Sequence, residues 1–173
     1  QRREEFIDLL RVFRENNQGC VMEIGTAEGG SLFCFCKLAQ DNAKIISVDL
    51  PPLAYELFYR KYFKYFTKEK QKLHLLKGDS HKNETLKKVK EVLNNDKIDF
   101  LFIDADHSYE GVKKDFEMYS PLVRPGGIIA FHDIAMPGVK KFWDKTKRQF
   151  NYKEIIEENS SGIGILYIPK SRS

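Results

Sequence analysis

The sequence predicts a doubly wound α/β sheet of seven strands, five parallel plus a C-terminal antiparallel hairpin, with helices on both faces. Short apolar runs alternate five times with amphipathic stripes of helical spacing. Four of the five runs end on carboxylates, where chance would scatter acids over helix surfaces. The last two strand-like runs are joined by a short polar link with no room for a crossover helix, so they pair as a hairpin.

Phe6, Leu9, Leu10 and Phe13 recur at helical spacing, and Asn16-Asn17-Gln18-Gly19 stops the pattern, which puts an amphipathic helix within residues 1–17. The apolar run Cys20-Val21-Met22-Glu23-Ile24 meets the turn Gly25-Thr26-Ala27-Glu28-Gly29-Gly30, and Leu32, Phe35, Cys36 and Ala39 then mark a second helix. Residues 44–49 are β-branched and are halted by Pro51-Pro52, a second strand that ends on Asp49. Tyr55, Phe58, Tyr59, Tyr62, Phe63 and Phe66 share one helical face, with Arg60, Lys61 and Lys64 off it. That spacing predicts a core-packing helix over 55–66 rather than a platform for nucleobases.

Residues 73–77 form a third strand running into Gly78-Asp79-Ser80, followed by a helix carrying Leu86, Val89 and Leu93. The nearly continuous apolar run 98–103 is a strand covered on both faces, and it ends at Asp104-Ala105-Asp106-His107. Tyr109, Val112, Phe116 and Tyr119 give a helix that passes through Pro121 and Pro125-Gly126-Gly127 into a fifth strand, 128–131, ending on His132-Asp133. One more helix bears Val139, Phe142, Trp143, Thr146 and Phe150, and the hairpin pairs 152–157 with 164–168.

A chain of 173 residues with 42% hydrophobic side chains suits a single domain spanning 1–173 with its own core. The lack of an initiator Met leads us to expect a piece of a longer chain. A net charge of +4, with lysines dispersed over several helices, does not call for nucleic acid. No apolar stretch approaches the roughly 20 residues that span a bilayer, and the charged start is unlike a signal peptide, so a cytoplasmic protein with no membrane partner is expected. Cys20, Cys34 and Cys36 fit neither a disulfide framework nor a zinc site and read as reduced thiols.

In open α/β sheets the ligand lies beyond the carboxyl ends of the strands. The glycine turn followed by Asp49, 20 residues after Gly29, is a nucleoside-binding arrangement, with a carboxylate for two ribose hydroxyls. Glu23, two residues before Gly25, would repel a pyrophosphate and suits a cationic ligand instead. Beside the cofactor turn, Asp104 and His132-Asp133 are expected to end side by side, with His107 near them as a proton acceptor.

These residues resemble those of the class I S-adenosylmethionine-dependent methyltransferases. The Glu23-Ile24-Gly25-x-x-x-Gly29 turn is similar to their first motif, Asp49 to their ribose acid and Gly78-Asp79-Ser80 to their adenine-side loop, and the fold implied is Rossmann-like. Asp104-Ala105-Asp106-His107 and Gly126-Gly127-Ile128-Ile129-Ala130-Phe131-His132-Asp133 resemble the metal-dependent O-methyltransferases of the catechol, caffeoyl-coenzyme A and macrocin types. The resemblance implies a cofactor, S-adenosyl-L-methionine, held by Glu23, Gly25, Thr26, Gly29, Ser31, Asp49, Gly78, Asp79, Ser80, Asp104 and Asp106. It implies a divalent metal on Asp104, His132 and Asp133, and catalytic roles for His107 and Asp104. Two departures are expected to matter. His132 stands where the family has a carboxylate, which shifts the expected ion from Mg²⁺ toward Mn²⁺, and His107 stands where the family commonly has Lys.

The implied activity is O-methylation of a small hydroxylated substrate, a sugar, polyol or phenol. The alternatives are an NAD-linked oxidoreductase on the same fold and a non-catalytic cofactor-binding module of a larger protein. Simpler duties compete for single residues: Asp106 or Ser108 as the cap of the next helix, and Asp133 as a turn residue before Pro137. His74 and His81 are expected at the surface. No long insertion follows Asp133, so the walls of the substrate pocket are expected from 51–66, the N-terminal helix, a homodimer partner or a neighbouring domain.

Overall fold

The computed structural model describes residues 3–16, 18–50 and 60–170. Helix α1 (Arg3–Glu15) leads into β1 (Cys20–Ile24), α2 (Gly30–Leu38) and β2 (Lys44–Asp49). Strand β3 (Lys72–Lys77), α3 (Asn83–Leu93), β4 (Ile98–Ile103) and α4 (Tyr109–Tyr119) follow. Strand β5 (Val123–His132), α5 (Pro137–Thr146), β6 (Asn151–Ile155) and β7 (Ile163–Tyr167) complete the order. The sheet runs β3-β2-β1-β4-β5-β7-β6, parallel from β3 to β5, with β7 antiparallel to β5 and to β6.

Alternation along the strands divides the core between two faces. Val21, Ile45, Phe100, Phe102 and Ala130 pack with Leu9 and Phe13 of α1 and Leu32 and Phe35 of α2. Met22, Ile46, Leu101, Ile129 and Phe131 pack on the opposite face with Val89 of α3, Val112 of α4 and Trp143 of α5. The winding reverses between β1 and β4, so their carboxyl ends open onto one shared crevice.

Two expectations meet a different local structure. Of the helical face expected over 55–66, Tyr55, Phe58 and Tyr59 lie outside the described residues. Of the remainder, Arg60 is helical, and the chain then passes through a turn into a short 3₁₀ segment, Phe63–Tyr65, in which Phe63 is buried while Tyr62 and Tyr65 are exposed. A 3₁₀ turn advances three residues per turn, so a stripe spaced for 3.6 cannot stay on one side of it. The fifth strand, expected over 128–131, begins at Val123 and absorbs Pro125-Gly126-Gly127, which the sequence reads as a connection. Gly126, at φ 75°, and a register shift opposite Ile98 and Phe100 take up the extra residues as an irregularity within the β4–β5 pairing.

Candidate active site

The turn after β1 is wedged between its two neighbours. Gly25 donates its N–H to Val48 O at 2.9 Å and sits at φ 87°, and a Cβ there would overlap the carbonyl of Asp104, so only glycine lets the β1 and β4 ends approach this closely. Gly29 begins α2 in the left-handed conformation. Glu23, on β1, is buried: one oxygen accepts from the Ser31 hydroxyl, and the other, Oε2, is buried with no partner. Burial, reinforced by the charges of Asp104 and Asp49, pushes this carboxyl up to about 8. Thr26 and Ser47 share a hydroxyl–hydroxyl hydrogen bond at the rim. An orphaned, buried carboxylate oxygen behind a glycine turn suits a ligand that brings a cation, as the sulfonium and amino group of S-adenosylmethionine do.

At the β2 end, Asp49 accepts from Ala27 N at 3.0 Å and Leu50 N at 2.8 Å, and it pairs with the guanidinium of Arg60. The sequence gives no signal for that partner, because Arg60, 11 residues beyond Asp49, meets it only through the tertiary fold. Thr26, Ser47, Asp49, Arg60 and Phe63, with residues 75–77, line a cleft of about 320 Å³. Beyond β3, Asp79 accepts from His81 N at 2.8 Å, and Tyr119 of α4 donates to Ser80 O at 2.8 Å. His81, expected at the surface, is instead mostly covered and lies 3.3 Å from the buried carboxylate of Asp115.

The β4 and β5 ends meet as expected, since Ile103 is in register with Phe131 and so brings Asp104 beside His132. His107 Nε2 lies 2.9 Å from Asp133 Oδ2 and 3.5 Å from Asp104 Oδ1. His132 Nδ1 lies 3.0 Å from Asp133 Oδ1 and 3.3 Å from Asp104 Oδ1, while its Nε2 is buried with no partner. Burial works against an imidazolium at His132, but hydrogen bonds and charge from Asp104 and Asp133 outweigh it and push His132 up to about 9. Burial likewise opposes the Asp133 carboxylate, and hydrogen bonds from His132 and Ser161 hold it down at about 2.

Two further contacts fix the loops. Gly138, in the first turn of α5, packs against the backbone of His107, whose carbonyl a Cβ would overlap. Asp133 adopts φ 60°, and the hairpin loop supports it through Ala135 N donating to Ser161 O at 2.7 Å. Ser108 caps α4 by accepting from Gly111 N at 3.0 Å, and Asp106 accepts from Ser108 N at 2.8 Å, so both take part in the helix start. The Asp133 side chain does not cap α5, because it is turned toward the histidines.

The resemblance implies a metal on Asp104, His132 and Asp133. In the structure, the ligand atoms that all lie within 4.8 Å of one another belong to Asp104, His107 and Asp133. His132 Nδ1 also stays within 3.3 Å of both carboxylates, so the structure brings all four residues together. His132 shares its face of β5 with Ala130 and turns its ring toward Phe102, 7% exposed, whereas His107 comes over the crevice from the loop after β4. Two carboxylates with one imidazole suit a borderline divalent ion such as Mn²⁺ better than Mg²⁺.

Comparison with known proteins agrees with this architecture. An uncharacterized protein of Acanthamoeba polyphaga mimivirus is 35% identical over 132 residues, covering 69% of this chain and 57% of its own length, so the chain spans little more than half of that relative. The crystal structure of CalS11, a calicheamicin methyltransferase, superposes with a TM-score of 0.71 at 17% identity, covering 96% of this chain and 80% of that one. The O-methyltransferase from Bacillus cereus, solved in complex with SAH, gives 0.71 at 15% identity, covering 96% of this chain and 82% of its own. Residues 22–134, which run from β1 through β5 and carry every strand end described above, match the methyltransferase domain, and the chain belongs to that family.

Proposed function

We infer that the protein is an S-adenosylmethionine-dependent methyltransferase that methylates a hydroxyl of a small acceptor, a sugar, polyol or phenol, with help from a divalent metal. The observation that carries this reading is the His107–Asp133 pair, 2.9 Å apart, at the strand end wedged against the Gly25 turn. A hydroxyl that attacks a methyl group must lose its proton, and His107, its Nε2 2.9 Å from Asp133 Oδ2, is placed to accept it at the other ring nitrogen. Asp133 then steadies the imidazolium that forms.

On this reading, Glu23 receives the cationic end of the cofactor, Asp49 the ribose diol, and the Asp79–Ser80 loop the adenine. The order of these residues along the sheet directs the reactive end toward Asp104 and His107. Glu23 also argues against a dinucleotide, since its partnerless buried oxygen offers a pyrophosphate no donor and a cation an acceptor. The carboxylates of Asp104 and Asp133, with the imidazole of His132, would hold the ion. His107 keeps the proton because its side chain, 39% exposed against 21% and 12% for the two acids, is the one an acceptor can reach. When bound, the ion would lower the pKa of a hydroxyl placed beside it. Positioning the acceptor oxygen in line with methyl and sulfur is the remaining task of the pocket.

The reading carries with it a cytoplasmic location and a pocket wall supplied by a second copy or a neighbouring domain. No helix among the described residues is long and apolar enough to cross a membrane. Thermal melts with S-adenosylhomocysteine and with NADH, followed by transfer of labelled methyl to a panel of hydroxylated acceptors, test the reading. Stabilisation by S-adenosylhomocysteine alone together with labelled product is expected. Stabilisation by NADH alone would overturn it.

A further inference from the structure

Asp115, on α4, is fully buried and has no part in the chemistry above. Neither of its oxygens has an aligned hydrogen-bond donor among the described residues, and the nearest cationic group is His81, whose Nε2 lies 3.3 Å from Oδ1, close enough to pair but off the hydrogen-bond direction. The other ring nitrogen, Nδ1, lies 3.9 Å from Asp79 Oδ1, and the backbone N–H of His81 donates to that same oxygen at 2.8 Å. Four residues beyond Asp115, Tyr119 holds the carbonyl of Ser80. The loop after β3 is thus anchored from beneath at two neighbouring points by one helix, and His81 stands between a buried and a partly exposed carboxylate. Burial pushes the Asp115 carboxyl up, and the neighbouring Ser80 and His81 pull against that rise without cancelling it.

We propose that His81 and Asp115 are positioning residues that set the place of the Asp79 carboxylate and thereby make the site select a 6-aminopurine over a 6-oxopurine in its cofactor. The inference rests on the reading that the Asp79–Ser80 loop faces adenine. A carboxylate accepts from an exocyclic amino group, and it meets a 6-oxo group oxygen to oxygen. Its power to discriminate therefore depends on being held still. The buried acid supplies that hold through the imidazole, which stands 3.3 Å from Asp115 on one side and 3.9 Å from Asp79 on the other, while the His81 backbone N–H fixes the same Asp79 oxygen. Asp106, which also faces His81 from the β4 loop, adds a third negative charge in the same direction.

Calorimetric affinities of the purified chain for S-adenosylhomocysteine and S-inosylhomocysteine test this directly. The wild type is expected to prefer the adenosyl compound by about 10² or more. Asp115→Asn and His81→Gln should each shrink that preference to under about tenfold while the inosyl affinity changes little, and the double variant should be no worse than either single one, because the two act as a unit. A merely structural role would weaken both ligands together. Should Asp115→Asn fail to fold, His81→Gln, at the accessible side of the pair, carries the measurement. An unchanged preference in both single variants, with the preference lost in Asp79→Ala, would overturn the inference and leave the adenine reading intact. An unchanged preference in Asp79→Ala, or no binding of either compound by the wild type, would overturn the adenine reading and the inference with it.

Discussion

The two halves of the crevice solve the same electrostatic problem with different cations. At the β2 end, Asp49 meets the guanidinium of Arg60 and two backbone N–H groups. Held by those partners, the carboxylate is a fixed acceptor suited to recognising a diol. At the β4 and β5 ends, Asp104 and Asp133 meet the imidazoles of His107 and His132. An imidazole can hold a proton or a metal, so this end suits chemistry. The cation beside a strand-end carboxylate therefore separates recognition from reaction within one sheet.

The largest effect expected on the reactive end is loss of activity. Methyl transfer should vanish with EDTA and return with Mn²⁺, and Asp104→Asn should prevent the return while far-ultraviolet circular dichroism stays unchanged. Full turnover in chelator would remove the ion from that half. His107→Gln comes next. It keeps a polar side chain but cannot take the proton, so single-turnover transfer should fall by roughly 10² to 10⁴ and lose its dependence on pH. Mn²⁺ binding, followed by electron paramagnetic resonance, should persist in this variant, whereas its loss would make His107 an ion ligand rather than the proton acceptor.

At the recognition end, Asp49→Ala should weaken S-adenosylhomocysteine by about 10² or more, since it removes a charge-assisted acceptor from a partly buried site and leaves Arg60 facing the ligand alone. Titration calorimetry that finds equal affinity would place the ribose elsewhere. Arg60→Gln, in contrast to His107→Gln, should leave the shape of the pH–rate profile as it is.

The smallest effect concerns Glu23, between the two halves. Its carboxyl, pushed up to about 8 in the folded chain, has an unfolded value near 4.3, so the folded state holds a proton that the unfolded state has released between those values. The stabilisation is complete below about pH 4 and is lost as pH rises toward 8. Melting temperatures of the ligand-free chain should fall across that window, and Glu23→Gln should flatten the slope. A cationic ligand should expel the proton, so binding near pH 7 should release it, as calorimetry in buffers of different ionisation enthalpy would record. The same slope in Glu23→Gln would assign it to another group.

The sequence by itself determined what local pattern can carry. Apolar periodicity and glycine or proline punctuation set the succession of strands and helices, and the winding rule turned that succession into a list of strand ends holding Glu23, Asp49, Asp79, Asp104 and Asp133. Each of those residues stands within one turn of its strand, so knowing the strand was enough to place it. Partnerships between elements were decided only in the tertiary structure. Arg60 on Asp49, His81 on Asp115, Ser161 behind Asp133 and His107 beside Asp133 all join residues whose separation along the chain bears no relation to their contact. A one-residue change of register turns a strand side chain to the opposite face, and His132 shows the consequence: its position beside Asp104 was legible, but the direction of its ring followed from the pleat of β5 against Phe102. Beyond Arg60 the aromatic stripe leaves a single helical face for a related reason, since a helical period shows where a face would lie if a helix formed, and there Phe63 packs into the core from a 3₁₀ turn that leaves Tyr62 and Tyr65 exposed.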